Sequence, residues 1–301
     1  MNAIEIHDLK KSFRGLYALD RLNMTVPVGA IYGFIGENGS GKSTTEKLIC
    51  GHLVPDSGKI QLFGKKYTDP GVRARVGALI ENAGCFPEST LYQNLMMQAI
   101  NLGLPNADEE INRVLRTVRM DGEAKLKFKK CSLGMKQRVG IAMALLRNPA
   151  LLILDEPING LDADGARLMR EILTDITQNE GCTVLISSHI LGELEKIATH
   201  YGIIRQGRMI QELSAKEMEA RSQVFTDIRV ADKNQAMPLL RSRFGNVTLE
   251  ENGLLRVYDV NDPEEIVAAL MSSGIVPTQV KKHRVGLEEY YIQLMSRKEA
   301  A

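Results

Sequence analysis

The sequence predicts an α/β fold, a largely parallel sheet flanked by helices, followed by a smaller α/β module. Three observations carry this. Short apolar runs alternate with stretches whose apolar residues recur at helical spacing, the pattern of strands and helices in succession. A glycine-rich tract at residues 36–44 lies between one such run and one such helix. After about residue 215 the alternation restarts in a different order.

Residues 1–8 alternate like a strand. Residues 30–35 are short, apolar and bounded by Gly29 and Gly36, as a buried strand would be. Residues 43–50 then read as a helix closed by Gly51 and by the turn Pro55-Asp56-Ser57-Gly58. Residues 59–63 form a further strand candidate, and residues 91–103 and 107–119 read as helices, the second entered after Pro105-Asn106. Residues 137–146 keep helical spacing, 151–154 read as a buried strand, and a helix over 166–179 leads to a strand over 183–187. In the tail, a strand at 225–230, a helix at 233–244, strands at 246–250 and 254–260 joined at Asn252-Gly253, a helix at 263–273 and a strand at 276–282 give a βαββαβ order. That order suggests a small split-βαβ layer, closed by a helix at 286–295. We read residues 222–301 as a separate accessory module; the alternative is that they extend the first domain.

Composition sets the class of protein. At 301 residues, 44% hydrophobic and 25% charged, the chain can bury a full core with room for one large and one small domain. Lys+Arg 38 against Asp+Glu 37 gives a formal charge of +1, so no global field favours nucleic acid or an anionic membrane surface, and no nucleic-acid partner is expected. Cys50, Cys85, Cys131 and Cys182 lack metal-ligand spacing and close pairs, which fits reduced thiols in a cytoplasmic protein. The N-terminus lacks the pattern of a secretory signal, and the longest apolar runs fall far short of the ~20 residues of a membrane span. Work at a membrane would need a separate membrane partner.

Gly36, Glu37, Asn38, Gly39, Ser40, Gly41, Lys42 and Ser43, followed by Thr44, fit a phosphate-binding loop with the preceding strand and following helix that its mechanism needs. The glycines let backbone N–H groups turn toward phosphate. Lys42 supplies charge for the β and γ phosphates, and the Ser43 hydroxyl can ligate Mg²⁺. A glycine-rich turn that binds nothing would not need both flanks. The run 151–154 ends in Asp155-Glu156-Pro157, so a carboxylate arrives near the loop. Asp155 would hold the Mg²⁺ shell, leaving Glu156 to orient and polarise the attacking water. Two acids in a solvated turn are the plain alternative, which leaves the phosphate loop without a metal partner. Cys131-Ser132-Leu133-Gly134-Met135-Lys136-Gln137-Arg138 is a second small-residue turn opening a helix, with further N–H groups for phosphate. Two such devices suggest a nucleotide held between two surfaces.

These residues, with Ser187-Ser188-His189 downstream, resemble the ATP-binding cassette (ABC) ATPases over residues 1–215. The resemblance implies a P-loop ABC ATPase domain: a RecA-like core, a β-subdomain and a helical subdomain at about 84–135. It places Ser132, Leu133, Gly134 and Met135 at the signature motif, which in the family reaches the γ-phosphate held by the opposite subunit. Phe13, with Gly15 after it, matches the aromatic that stacks on adenine; the other reading is a core Phe in an N-terminal hairpin. Asn159-Gly160-Leu161-Asp162 resembles the loop crossing the dimer interface, and His189 matches the histidine that contacts the γ-phosphate. Without the family, His189 reads as a polar residue at a strand end. The implied cofactors are ATP and Mg²⁺. The implied partners are a second copy of the chain and a polytopic membrane permease, with the chain peripheral on the cytoplasmic face.

Three positions depart from the family pattern. Leu133 stands where the first of two glycines is common, Ile158 where Thr is commoner, and Glu81 where most members carry Gln. An amide can donate and accept, whereas a carboxylate only accepts and adds charge near Mg²⁺, so Glu81 joins the catalytic and metal candidates. Glu81 and the Ser-Leu-Gly-Met-Lys-Gln tract resemble the bacitracin-resistance and lantibiotic-immunity branch of ABC exporters. That branch drives a permease that clears antimicrobial peptides from the membrane. Phe86, Leu91 and Tyr92 are candidate permease contacts or simply subdomain core. The four lysines in residues 125–130 read as a solvated basic face. Glu288-Glu289-Tyr290-Tyr291 resembles the branch's usual ending without indicating a role. Among rivals, a DNA-maintenance ABC ATPase would need a long coiled-coil insertion, and a translation-associated ABC factor would ordinarily carry two cassettes. A P-loop kinase would leave the signature tract unexplained.

Overall fold

The computed structural model describes residues 1–221, 224–250, 252–260 and 262–297. It divides into two compact units, Met1–Ala215 and Lys216–Ala301. Of the tail module expected at 222–301, residues 222, 223, 251, 261 and 298–301 lie outside the described residues.

The first unit opens with a long antiparallel pair, β1 (Asn2–Phe13) and β2 (Leu16–Pro27), and then β3 (Ile31–Ile35), whose five residues are all buried. Helix α1 (Lys42–Ile49) follows the phosphate loop, and β4 (Ser57–Leu62) and β5 (Lys65–Lys66) complete a four-stranded sheet in the order β2-β1-β4-β5. The short α2 (Pro70–Arg73), capped by Asp69, leads to β6 (Val76–Leu79). Next come α3 (Leu91–Asn101), α4 (Ala107–Thr117) and α5 (Leu133–Leu145). A reciprocal capping box between Thr90 and Gln93 satisfies the first turn of α3. The remaining elements are β7 (Leu151–Asp155), α6 (Ala163–Glu180), β8 (Thr183–Ser188), α7 (Leu191–Leu194), β9 (His200–Arg205) and β10 (Arg208–Ser214).

The central sheet runs β10-β9-β3-β8-β7-β6, parallel except for β10. Its register decides where the chemistry lies. Ile35 pairs with Ser188, and Asp155 with Ser187. The carboxyl ends of β3, β7 and β8 therefore stand side by side, at the edge where open parallel sheets bind ligands. The core joins both sheets of the unit: Ile4, Leu22 and Ile60 of the antiparallel sheet belong to one buried cluster with Phe34, Ile153 and Leu185 of the parallel one.

Helix α8 (Ala215–Arg221) leads into the second unit, whose elements are β11 (Val224–Val230), α9 (Lys233–Phe244), β12 (Val247–Leu249), β13 (Leu255–Tyr258), α10 (Pro263–Ser272), β14 (Pro277–Arg284) and α11 (Leu287–Arg297). Its sheet order is β12-β13-β11-β14 with every pair antiparallel, which is the split-βαβ arrangement. Ile228, Leu240, Val257, Ile266 and Leu270 form its core.

Several boundaries differ from the sequence reading. Helix α5 starts at Leu133 because the Ser132 side chain accepts from Met135 N–H, so the small-residue turn is the cap itself. Helix α6 starts at Ala163, capped in the same way by Asp162. The separate antiparallel sheet of β1, β2, β4 and β5 is the expected β-subdomain. Leu91 is fully buried, which makes it subdomain core, while Phe86 is exposed. The lysine-rich tract is not wholly free on the surface: Lys127 and Lys129 both approach Glu88, at 3.5 and 2.9 Å.

Candidate functional site

The phosphate loop is shaped by two close approaches. A Cβ on Gly36 would lie 2.6 Å from the Ile204 carbonyl oxygen, and one on Gly41, at φ 111°, 2.7 Å from Leu19 Cδ2. Neither position accepts a side chain without displacing backbone or core. Gly41 then turns the chain into α1, whose first residues are Lys42 and Ser43. The ammonium of Lys42 is buried and donates to the carbonyls of Gly36 and Glu37, at 2.6 and 3.2 Å. The loop and its lysine thus form one braced unit.

Opposite the loop, β7 delivers Asp155. Its two oxygens are divided between two donors: Ser43 Oγ at 3.2 Å and Ser187 Oγ at 2.8 Å. Glu156 follows at φ 50°, a left-handed conformation uncommon outside glycine. Its N–H donates to Ser187, and its carboxylate lies 4.0 Å from Lys42 Nζ and 2.9 Å from His189 Nδ1. His189, past the end of β8, also donates its backbone N–H to Glu156 at 3.4 Å. Glu37, Asn38, Gly39, Gly41, Lys42, Ser43 and Thr44 line a cavity of about 240 Å³ with Asp155, Glu156 and Ala18 of β2. Its chemistry is legible: N–H groups and an ammonium for phosphate, a hydroxyl and carboxylate with oxygens for a hard cation, and a second carboxylate beside an imidazole. The glycine cradle and the oxygen donor set fit a nucleotide with Mg²⁺.

Ser132, Leu133, Gly134 and Met135 line a different cavity, of about 300 Å³, with Gly160, Leu161 and Asp162. The two loops touch, since a Cβ on Gly160 would stand 3.1 Å from Leu133 Cδ2. Leu133 is half exposed at the helix start. Among the described residues, none lines both this cavity and the phosphate-loop cavity. Phe13 is 45% exposed at the end of β1 beneath the Lys11 ammonium, 5.4 Å from the ring centroid. It is therefore not a core residue.

Glu81 does not join Ser43 and Asp155. Its carboxylate pairs with Lys47 Nζ at 2.6 Å, and Lys47 holds its pKa below the usual range. Both residues line a third cavity, of about 410 Å³, with Arg73, Gln98 and Met143. Glu81 also adopts a left-handed backbone, at φ 66°.

One residue of the site went unnoticed in the sequence. Glu46 on α1 is fully buried, and neither carboxyl oxygen has a hydrogen-bond partner within range. Burial, reinforced by the charge of Asp155, pushes its pKa up to about 8, while Ser187 and Lys42 pull the other way. A signal existed: residues 42, 45, 46 and 49 form the buried face of α1 at helical spacing, and an acid on that face is anomalous.

The family described as ABC transporter matches residues 19–159. The chain is 34% identical to the bacitracin transport ATP-binding protein BcrA of Bacillus licheniformis, over 97% of this chain and 97% of that protein. It is 37% identical to the lantibiotic transport ATP-binding protein SrtF of Streptococcus pyogenes, over 77% of this chain and 100% of that protein. Among solved structures, cbiO1 from Clostridium perfringens, part of the ABC transporter complex cbiONQ, aligns with a TM-score of 0.67 at 26% identity, covering 80% of this chain and 95% of that one. An ATP-binding subunit of an ABC transporter aligns at 0.64 and 29% identity, covering 73% and 92%.

Proposed function

The chain belongs to the family of ABC transporter ATP-binding proteins, and from that premise we propose that it dimerises on ATP to drive a separate membrane permease that exports antimicrobial peptides. Its ATPase activity follows from the family. The observation that carries the dimer is the separation of the two phosphate-facing devices. Among the described residues the phosphate-loop cavity and the signature cavity share none, so a second copy supplies Ser132, Leu133, Gly134 and Met135 to each nucleotide.

In this reading Gly36 to Thr44 wrap the phosphates and Lys42 balances their charge. Phe13 stacks on adenine, and Ser43 and Asp155 hold Mg²⁺. The ion supplies charge neutralisation at the phosphates when bound. Glu156, already 2.9 Å from His189, orients and polarises the water for in-line attack. His189 then contacts the γ-phosphate, and Asp162 fixes the loop that meets the partner copy. Catalysis is chiefly positioning and charge stabilisation.

BcrA is a bacitracin transport protein and SrtF a lantibiotic transport protein, which supports the peptide-export branch. No helix among the described residues is long and apolar enough to cross a membrane, which agrees with a permease as a separate chain on whose cytoplasmic side this subunit works. The exposed Phe86 and the cavity beside Glu81 are the candidate permease contacts. Glu81, paired with Lys47 on the helix that follows the phosphate loop and not with Ser43 or Asp155, relates the state of that loop to the permease. A Glu81→Gln variant with unchanged basal and permease-coupled hydrolysis would remove that role.

The dimer is tested with Glu156→Gln. Slowed hydrolysis should trap a species of twice the monomer mass at saturating ATP and Mg²⁺, read by light scattering after size exclusion. A variant that binds ATP and stays monomeric overturns the reading. Co-purification of a polytopic membrane protein with the chain in detergent tests the permease.

A further inference from the structure

The nucleotide site joins two parts of the first unit, the phosphate loop and the β1–β2 hairpin that carries Phe13. Register in the hairpin passes from Ser12–Tyr17 to Lys11–Leu19, so Ala18 is the extra residue of a bulge. Set outside the β1 ladder, Ala18 lines the phosphate-loop cavity. A Cβ on Gly41 would stand 2.8 Å from the Ala18 carbonyl oxygen, so strand and loop are in close contact there.

The turn between β9 and β10 bridges the same two parts. Gln206 and Gly207 form a two-residue hairpin loop at φ 50° and 73°, the mirror-image geometry that glycine favours. Gly207 is buried and bonded on both sides. Its N–H donates to the Ser40 carbonyl of the phosphate loop at 2.9 Å, and its carbonyl accepts from the Asp20 N–H of β2 at 3.0 Å. No side chain fits, since a Cβ would lie 2.6 Å from the Ala18 carbonyl oxygen and 2.8 Å from Leu19 Cα. Arg208, the next residue, brings an exposed guanidinium to the Asp20 carboxylate, with Nε and Nη2 both donating to Oδ2. Asp20 is thus held to the turn by main chain and side chain together.

We propose that Gly207 is a positioning residue for nucleotide binding: it fixes β2 against the phosphate loop, so that base and phosphates are gripped at a set separation. The proposal rests on the reading that places the base at the β1–β2 hairpin. A ligand held at both ends gains from the linkage only while the two grips keep their spacing. Stacking of a base on an aromatic ring contributes roughly 5- to 150-fold in affinity. Loosening the bridge forfeits part of that factor. The phosphates stay gripped, because Lys42 is braced by the carbonyls of Gly36 and Glu37 within the loop itself.

Calorimetry on the full chain with Mg²⁺ provides the test, with ADP probing both grips and pyrophosphate the phosphate loop alone. In Gly207→Ala, ADP should bind about five- to fiftyfold more weakly, while pyrophosphate changes by less than about twofold. Should that variant fail to fold, Arg208→Gln, at an exposed position, carries the test. It should weaken ADP about two- to fivefold and again leave pyrophosphate unaltered. A purely structural role would lower the melting temperature and leave the ratio of the two affinities where it was. That unmoved ratio overturns the proposal, whether both probes weaken alike or neither does, and so does a native chain that binds ADP and no pyrophosphate. Phe13→Ala separates the two readings: ADP affinity unchanged there but reduced in Gly207→Ala removes Phe13 as the base contact and retains the bridge.

Discussion

Glu46 shows how a single buried acid ties stability to pH. Its carboxyl has an ordinary pKa of 4.5 and one of about 8 in the folded chain, and the groups around it are Asp155, Ser187, Lys42 and Glu156. Between those two values the folded chain holds a proton that the unfolded chain has released, so stability falls as pH rises from about 4.5 to about 8 and levels above that. The loss is on the order of a few kcal/mol. Urea midpoints at pH 5, 7 and 8.5 should decline more steeply for the native chain than for Glu46→Gln; parallel declines would show that the slope comes from elsewhere. The convergence of Lys42, Ser43, Asp155 and Glu156 on one cavity was legible in the sequence because motif spacing sets each at a strand end or helix start. Glu46 was not, since its burial is set by β7 and β8, more than a hundred residues away. The Lys47–Glu81 pair was equally hidden, because it depends on how α1 meets the end of β6.

Elements with an internal period were read correctly; those whose pattern is broken by packing were not. Helices α3, α4, α9 and α10 keep apolar residues at helical spacing and were recognised, α9 even through Pro238. Strand β2 went unmarked because its pairing with β1 shifts register four times, which interrupts strict alternation. Strand β6 is only four residues long and is defined by its neighbours. Gly77 at its centre allows α5 to sit against the sheet: a Cβ there would fall 2.1 Å from the Ala144 carbonyl oxygen. Gly77→Ala must push α5 from β6, and should destabilise the chain by about 1–3 kcal/mol. Gly192→Ala is the control, because a Cβ on that residue of α7 meets nothing within 4 Å. It should be neutral or stabilise by up to about 1 kcal/mol. Equal denaturation midpoints for the two variants would refute the packing argument.

At the scale of the molecule, the βαββαβ order made the second unit's sheet legible, whereas the bridge at Gly207 depends on elements far apart in sequence. In the first unit, the motifs named two phosphate-facing candidates, but only the structure shows that one chain keeps them in separate cavities. That separation makes a demand on mixed dimers. In the proposed dimer, Lys42→Ala disables the phosphate loop of its own chain, and Ser132→Arg disables the surface offered to the other chain's nucleotide. Each variant alone gives dimers with two defective sites. In a mixed dimer both defects fall on one site, and the other combines an intact loop with an intact signature turn. Random pairing makes half of the dimers mixed, each with one complete site of two, so an equimolar mixture should recover about a quarter of native ATPase activity if the sites turn over independently. Activity that remains the mean of the two separate variants, with mixed dimers verified by differential tagging, would show that each chain completes its own site.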